Sequence, residues 1–250
     1  MPPPRRRLGH APYAAARRAA RRVRVPRGPG MRLLELDEVA RTVLREAGAV
    51  SPFLGSRPSF APTLFPAVIC ASVNDAIVHG IPDASRLRDG DLVSIGCGAL
   101  GDGWASDAAV SFTVGATRPE DQRLMDTTRQ APAAGVAAAV AGARIDDVSH
   151  AIGSIGRAAG YGIPTGFGGH GIGRQMHEGP PVPTTAVRGG YLLRPGLVIA
   201  IEPMFLADGA DGHATDDDGW TLRTVDGGRA AHFEHMVAAT EEGPRVLTLP

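Results

Sequence analysis

Apolar positions recur along the chain with two different periods. In residues 32–47 they fall at Leu33, Leu36, Val39, Ala40, Val43, Leu44 and Ala47. This spacing keeps one face of a 3.6-residue helix apolar, and Gly48 follows as a stop. Residues 144–160 repeat the pattern, with Ile145, Val148, Ile152, Ile155 and Ala159 in one stripe. A third helical stretch covers 119–142, with Pro119 suited to a first turn. Pro132 and Gly135 are expected to interrupt it, because an interior proline costs about 3 kcal/mol or a kink.

The shorter period appears between Asp91 and Gly115, in DGDLVSIGCGALGDGWASDAAVSFTVG. Leu92, Val93, Ile95 and Cys97 lie on one side of Gly101-Asp102-Gly103, and Trp104, Val110, Phe112 and Val114 on the other. Turn chemistry between two apolar runs predicts a β-hairpin. With the turn centred on Gly101-Asp102, residue 96 falls opposite residue 107. Directly opposed side chains share a face, with Cβ atoms about 5 Å apart. Further strands are expected at 67–72, 197–201, 219–224 and 230–240. Residues 51–66 and 162–183 are rich in Pro and Gly and read as loops. Helix, strands, helix pair, strands is the order of an α+β fold, not of a doubly wound sheet. No linker interrupts 31–250, which is expected to be a single domain.

Charge separates the first 30 residues from the rest. The chain has 250 residues, 26 Arg, no Lys and 26 acidic residues, for a net charge of zero. Nine of those arginines lie in residues 1–30, which contain no acid. That segment is expected to be a disordered Arg-rich tail, since its apolar face is thin. The remainder is net acidic and offers no electrostatic footprint for nucleic acid. Two cysteines, Cys70 and Cys97, suggest neither a disulfide framework nor a zinc site, so a reducing cytoplasm is the expected compartment. No apolar run approaches the roughly 20 residues of a membrane span. The N-terminus lacks the apolar core of a secretory signal.

Four segments set ionisable residues among apolar or glycine-rich neighbours. They are Asp107 in WASDAAVSF, His170 and His177 in GGHGIGRQMHEGP, Glu202 in VIAIEPM, and Glu234 in AHFEHMV. Each alone has an ordinary structural reading: a turn or ladder residue, a strand cap, a solvent-facing strand position. Together, three carboxylates and an imidazole suit a hard or borderline divalent ion, with Mn, Fe, Co and Zn all compatible.

The segments SVNDAIVHGIPD, LRDGDLVSI, GGHGIGRQMHEGP, LRPGLVIAIEPM, DGWTLRT and HFEHMVAAT resemble the signature segments of type I methionine aminopeptidases, in order and spacing, across about 31–250. The resemblance implies the pita-bread fold, a pseudo-two-fold antiparallel sheet with helices outside. It implies cytoplasmic removal of the initiator methionine from nascent proteins with a small second residue. It also implies a monomer, with the ribosome as a further partner. By motif, Asp107, His170, Glu202 and Glu234 resemble metal ligands, with Glu202 also taking the proton of the attacking water. His79 resembles the histidine near the scissile amide, and His177 the one that binds the substrate carbonyl. Phe65, Cys70, Met176 and Trp220 fall where the methionine pocket is lined.

The family pattern departs at one ligand. Its fifth, an aspartate, falls at Gly96. The expectation is a single tightly bound ion, a weakened second position and reduced activity. A catalytically inactive pita-bread paralogue acting as a binding protein is the alternative. Other departures are Ala108 after the bridging aspartate, Gly179 after His177-Glu178, Pro132, and an Arg-rich tail where the family has its first long helix.

Overall fold

In the computed structural model, residues 10–24, 28–186 and 188–248 are described. The Arg-rich segment contains a helix, α1 (His10–Arg24), followed by α2 (Leu33–Glu46). This corrects the expected tail. Ala15, Ala16, Ala19, Ala20 and Val23 recur at helical spacing and are all buried, in one cluster with α2 and the first sheet. The apolar face is thin because it is alanine, and alanine lets a helix lie close against a sheet. No boundary is therefore visible at residue 30, and α1 stands where the family's first helix was expected to be lost. Residues 1–9 and 25–27 of the expected tail lie outside the described residues.

The first sheet has the order β1-β3-β4, built from β1 (Ile69–Val73), the short β2 (Ala76–Val78) beside it in a second sheet, and the hairpin β3 (Leu92–Gly101) and β4 (Trp104–Thr113). The hairpin turns on Asp102-Gly103, both with positive φ, as a two-residue primed turn requires. The register differs by two residues from the expected one: Gly98 pairs with Asp107, and Gly96 with Ala109. Gly96 and Asp107 still share a face, as diagonal neighbours. Val93, Ile95, Cys97 and Ala99 point the other way, into the cluster under α1 and α2.

Asp37 pins α2 to this sheet. Although buried, its carboxylate accepts hydrogen bonds from Val68 N (2.8 Å), Ile69 N (3.2 Å) and Arg41 Nε (2.6 Å). Those three donors satisfy a charge that burial would otherwise penalise.

The second half carries α3 (Pro119–Ala138) and α4 (Ile145–Ala158) over a five-stranded sheet. Helix α3 runs through Pro132 and ends at Ala138, earlier than expected. Pro132 and Gly135 are both buried in it. A Cβ at Gly135 would lie 2.8 Å from Ile152 Cγ1 of α4, so this glycine serves helix–helix contact instead of stopping the helix. The expected loop at 162–183 contains two strands, β5 (Gly168–Gly171) and β6 (Glu178–Pro183). Next come β7 (Val198–Ile201), β8 (Met204–Leu206), β9 (His213–Thr215) and β10 (Leu222–Thr224). The expected strand at 230–240 is two, β11 (Ala230–His232) and β12 (His235–Ala238), which pair with different partners, β8 and β7. The short β13 (Arg245–Val246) closes the order β13-β12-β7-β5-β6. No helix among the described residues is long and apolar enough to cross a membrane.

Docking of α1 has a direct test. Ala19→Asp should cost on the order of 3 kcal/mol in chemical denaturation, because it places an unpartnered charge in the cluster. Arg18→Ala, on the exposed side of the same helix, should stay within about 0.5 kcal/mol of the parent. Equal stability of the two variants would show that α1 does not pack there.

Candidate metal centre

All ten residues singled out in the sequence line one cavity of about 620 Å³: Phe65, Cys70, His79, Asp107, His170, Met176, His177, Glu202, Trp220 and Glu234. Gly96 lines it too. The cavity lies where the first sheet meets the second half of the chain. The hairpin presents Asp107 from β4. The β5 strand presents His170. Glu202 follows the last residue of β7, and Glu234 sits in the break between β11 and β12. The break is itself tied to the hairpin, since Glu234 N donates to Ala109 O (3.0 Å).

Two groups of potential ligands meet at Glu234. Oxygen and nitrogen atoms of Asp107, His170 and Glu234 lie within 4.8 Å of one another, as do those of Glu202, His232 and Glu234. His170 Nδ1 contacts Gly171 O at 2.9 Å. A carbonyl only accepts, so Nδ1 donates to it, and Nε2 is the ring nitrogen left to face the site. That Nε2 faces Glu202 Oε1 at 3.4 Å, with no hydrogen-bond partner. Glu234 Oε1 is likewise buried without a partner. Electron-pair donors facing one another around unpartnered buried atoms suit a cation between them. The donor set, three carboxylates and an imidazole, fits a divalent ion.

The electrostatics agree. Burial first, then the Glu202 charge, holds the Asp107 carboxyl well above the usual carboxylate range. Burial, Asp107 and Glu202 do the same to Glu234. Burial would raise Glu202 as well, but contact with His232 and the nearness of His170 and His177 outweigh it and bring its pKa down. A bound cation would relieve the repulsion among all three.

The pocket walls follow from local constraints. His79 directly follows β2 with φ 61°, and Gly80 comes next because a Cβ there would lie 2.4 Å from Ala71 O. The close approach turns the imidazole into the cavity. Its pKa falls to about 4, from burial first, so the ring is neutral at neutral pH. Phe60 stacks on it with ring centroids 5.8 Å apart and 16° between planes. Trp220 packs edge-on against Phe65 at 4.9 Å. Gly98, opposite Asp107, lets Phe53 and Met176 close onto the hairpin; a Cβ would come within 2.9 Å of both. Burial and the neighbouring carboxylates push the Cys70 thiol far up, so it is an inert wall. His177 stands at the rim, 4.4 Å from His170 between ring centroids, and partial burial of its ring lowers its pKa.

Sequence reasoning missed His232 and Phe60. The buried His232 lies two residues before Glu234, and alternation in β11 could have placed both on one face. Phe60 sits in the loop 51–66, whose closure by hydrogen bonds between Phe65 and the Gly55–Ser56 backbone has no periodic signal.

The model of metallopeptidase family M24 matches residues 5–241, reaching into the Arg-rich segment. Methionine aminopeptidase 1 of Mycobacterium tuberculosis is 50% identical over 239 residues, 92% of this chain and 87% of that one. The methionine aminopeptidase of Aquifex aeolicus is 41% identical over 224 residues, 88% of this chain and 86% of that one. Among solved structures, the methionine aminopeptidase of Thermotoga maritima superposes with a TM-score of 0.90 at 33% identity, covering 96% of this chain and 95% of that one. A prolidase from Pyrococcus furiosus shares the fold at a TM-score of 0.74 and 22% identity, with 96% of this chain matched to 62% of that one. The α+β pita-bread architecture, the six signature segments and this depth of similarity place the chain in metallopeptidase family M24, among its methionine aminopeptidases.

Proposed function

We propose that the chain removes the N-terminal methionine of newly made proteins in the cytoplasm, using one tightly held divalent ion. The observation that carries this reading is the convergence of Asp107, His170, Glu202 and Glu234 beside an aromatic and thioether pocket. Phe65, Trp220, Cys70 and Met176 offer soft, apolar walls of the kind that suit a methionine side chain. The chain acts as a monomer, and the emerging nascent chain at the ribosome is its substrate.

The four ligand residues would hold the ion, which when bound supplies an acidified water and polarises the scissile carbonyl. Glu202 takes the proton of the attacking water and is well placed for it, since its carboxylate is held in the charged form. His177 donates a hydrogen bond to the carbonyl oxygen as charge develops, a contribution of a few kcal/mol. Neutral His79 faces the scissile amide nitrogen and orients it. Phe60, stacked on His79, walls the side on which the second residue lies.

Gly96 decides how strong this chemistry is. A Cβ at this position would meet only Cys70 Cβ, at an ordinary 3.7 Å. The backbone therefore accepts an aspartate, and its absence is a change in ligands, not in packing. The same glycine is what favours the alternative of an inactive pita-bread protein that binds nascent chains.

Four outcomes are expected. First, Mn²⁺ or Co²⁺ at a hundredfold excess over its Kd should stabilise the metal-free protein by about 2.7 kcal/mol. For a chain of this size that is a rise in Tm of roughly 5–10 °C. An unchanged Tm would remove the ligand set. Second, the metal-loaded protein should release methionine from a Met-Ala-Ser peptide; binding of the peptide without turnover would favour the inactive paralogue. Third, Gly96→Asp should raise kcat/KM at least tenfold, about 1.4 kcal/mol of transition-state stabilisation. Metal analysis on the unsubstituted chain should find one tight ion, and two would overturn the single-ion reading.

A further inference from the structure

Glu202 stands between two histidines. Its Oε1 lies 3.4 Å from His170 Nε2, and its Oε2 lies 3.4 Å from Nε2 of His232. Among the described residues no backbone amide donates to this carboxylate. Its two oxygens therefore have separate neighbours of the same kind, and the two histidines differ in what fixes them. His170 is held through Nδ1 with Nε2 toward Glu202, as a ligand would be. His232 is fixed through its main chain. His232 N donates to Ser111 Oγ (2.8 Å), Ser111 Oγ donates back to His232 O (2.9 Å), and Ser94 Oγ lies 2.7 Å from Ser111 Oγ.

Serine has one hydroxyl proton. With Ser111 donating to His232 O, Ser94 must be the donor to Ser111. The chain of bonds thus runs in one direction, from Ser94 through Ser111 to the His232 backbone. It ties the end of β11 to the hairpin and aims the imidazole at Glu202. His232 itself is buried, and its Nε2 has no aligned hydrogen-bond partner. A buried imidazole N–H needs an acceptor, and Glu202 Oε2 is the atom within reach.

We infer that His232 is a positioning residue of the metal centre: its Nε2–H holds Glu202 Oε2, which turns Oε1 toward His170 and the ion. The inference rests on the reading of Asp107, His170, Glu202 and Glu234 as the ligand set. It goes beyond that reading by giving Glu202 an anchor. Outer partners of this kind fix ligand orientation, and losing one commonly costs tenfold to a hundredfold in metal affinity.

Co²⁺ binding to the full-length protein, followed by calorimetry and by the visible absorption of the bound ion, tests this without peptide turnover. His232→Leu should weaken Co²⁺ binding at least tenfold. His232→Gln keeps an N–H donor and should bind within threefold of the parent, with an unchanged Co²⁺ spectrum. Circular dichroism should show both variants folded. Co²⁺ binding by His232→Leu at parental affinity overturns the inference and leaves the ligand set standing. If His232→Gln is as weak as His232→Leu, with a shifted spectrum, His232 is itself a ligand and the positioning role is wrong. Should the unsubstituted protein take up no Co²⁺, the ligand set falls and the inference with it. A misfolded His232→Leu would transfer the test to Ser111→Ala, which leaves the imidazole in place but releases its main chain. It should weaken Co²⁺ binding at least threefold, and parental affinity there overturns the inference.

Discussion

Three carboxylates share one enclosed space in this molecule, and the rest of the architecture is the means of keeping them there. Asp107, Glu202 and Glu234 come from three places in the chain. Asp107 and Glu234 are buried, and each carboxylate feels the others. In water such groups would separate and ionise independently. Here the hairpin, the end of β7 and the β11–β12 break are locked by backbone hydrogen bonds, among them Glu234 N to Ala109 O. The groups cannot move apart. Repulsion that cannot be relieved by motion is relieved by protonation or by a cation. The pKa values of Asp107 and Glu234 are pushed up while that of Glu202 is brought down, so the repulsion is unevenly shared: His170 and His232 each reach within 3.4 Å of a Glu202 oxygen.

The scaffold around this point is built from close approaches. Gly80 lets β2 return against β1, since a side chain would strike Ala71 O. Gly169 lies where a Cβ would be 2.0 Å from Ala200 O, so β5 and β7 can bring His170 beside Glu202. Gly98 lets Phe53 and Met176 reach the hairpin. In each case a glycine draws a functional residue inward by removing the atom that would hold it off. On the opposite face of the hairpin the alanines of α1 play a similar part, bringing a helix close to the sheet that carries Asp107.

Much of this was legible in the sequence, for identifiable reasons. The helices α2 and α4 have clean apolar stripes, and they form within two residues of the expected ends. Motif order, which survives without any three-dimensional information, picked out residues that the fold brings together around one cavity. What failed was whatever depended on contacts. The stripe of helix α1 is almost all alanine, which reads as weakly apolar until a sheet is laid against it. Pro132 argues for a break, yet packing of α3 on α4 holds the helix together through it. The strands β5 and β6 have no β-branched run to announce them, because glycine and proline there serve close pairing. The hairpin register slipped by two residues because three turn residues, Gly101, Asp102 and Gly103, allow two turn centres one residue apart. Only the observed positive φ at both Asp102 and Gly103 chooses between them.

That slip bears on the meaning of Gly96. Two glycines on β3 face the cavity, and they are not equivalent. Gly98 is opposite Asp107, and a side chain there would collide with Pro52, Phe53 and Met176, so the fold demands glycine. Gly96 is opposite Ala109 and beside Cys70, with room for a side chain at ordinary contact distance. The fold demands nothing there. An aspartate at 96 would add a fourth carboxylate to a centre already straining under three. Its absence lowers the charge that must be offset, so that one divalent ion leaves a single negative charge instead of two. An aspartate at this position would therefore act on the electrostatics of the proposed centre and not on its packing. With fewer carboxylates to share the ion, the orientation of each remaining one matters more, and Glu202 is the one whose orientation depends on a neighbour.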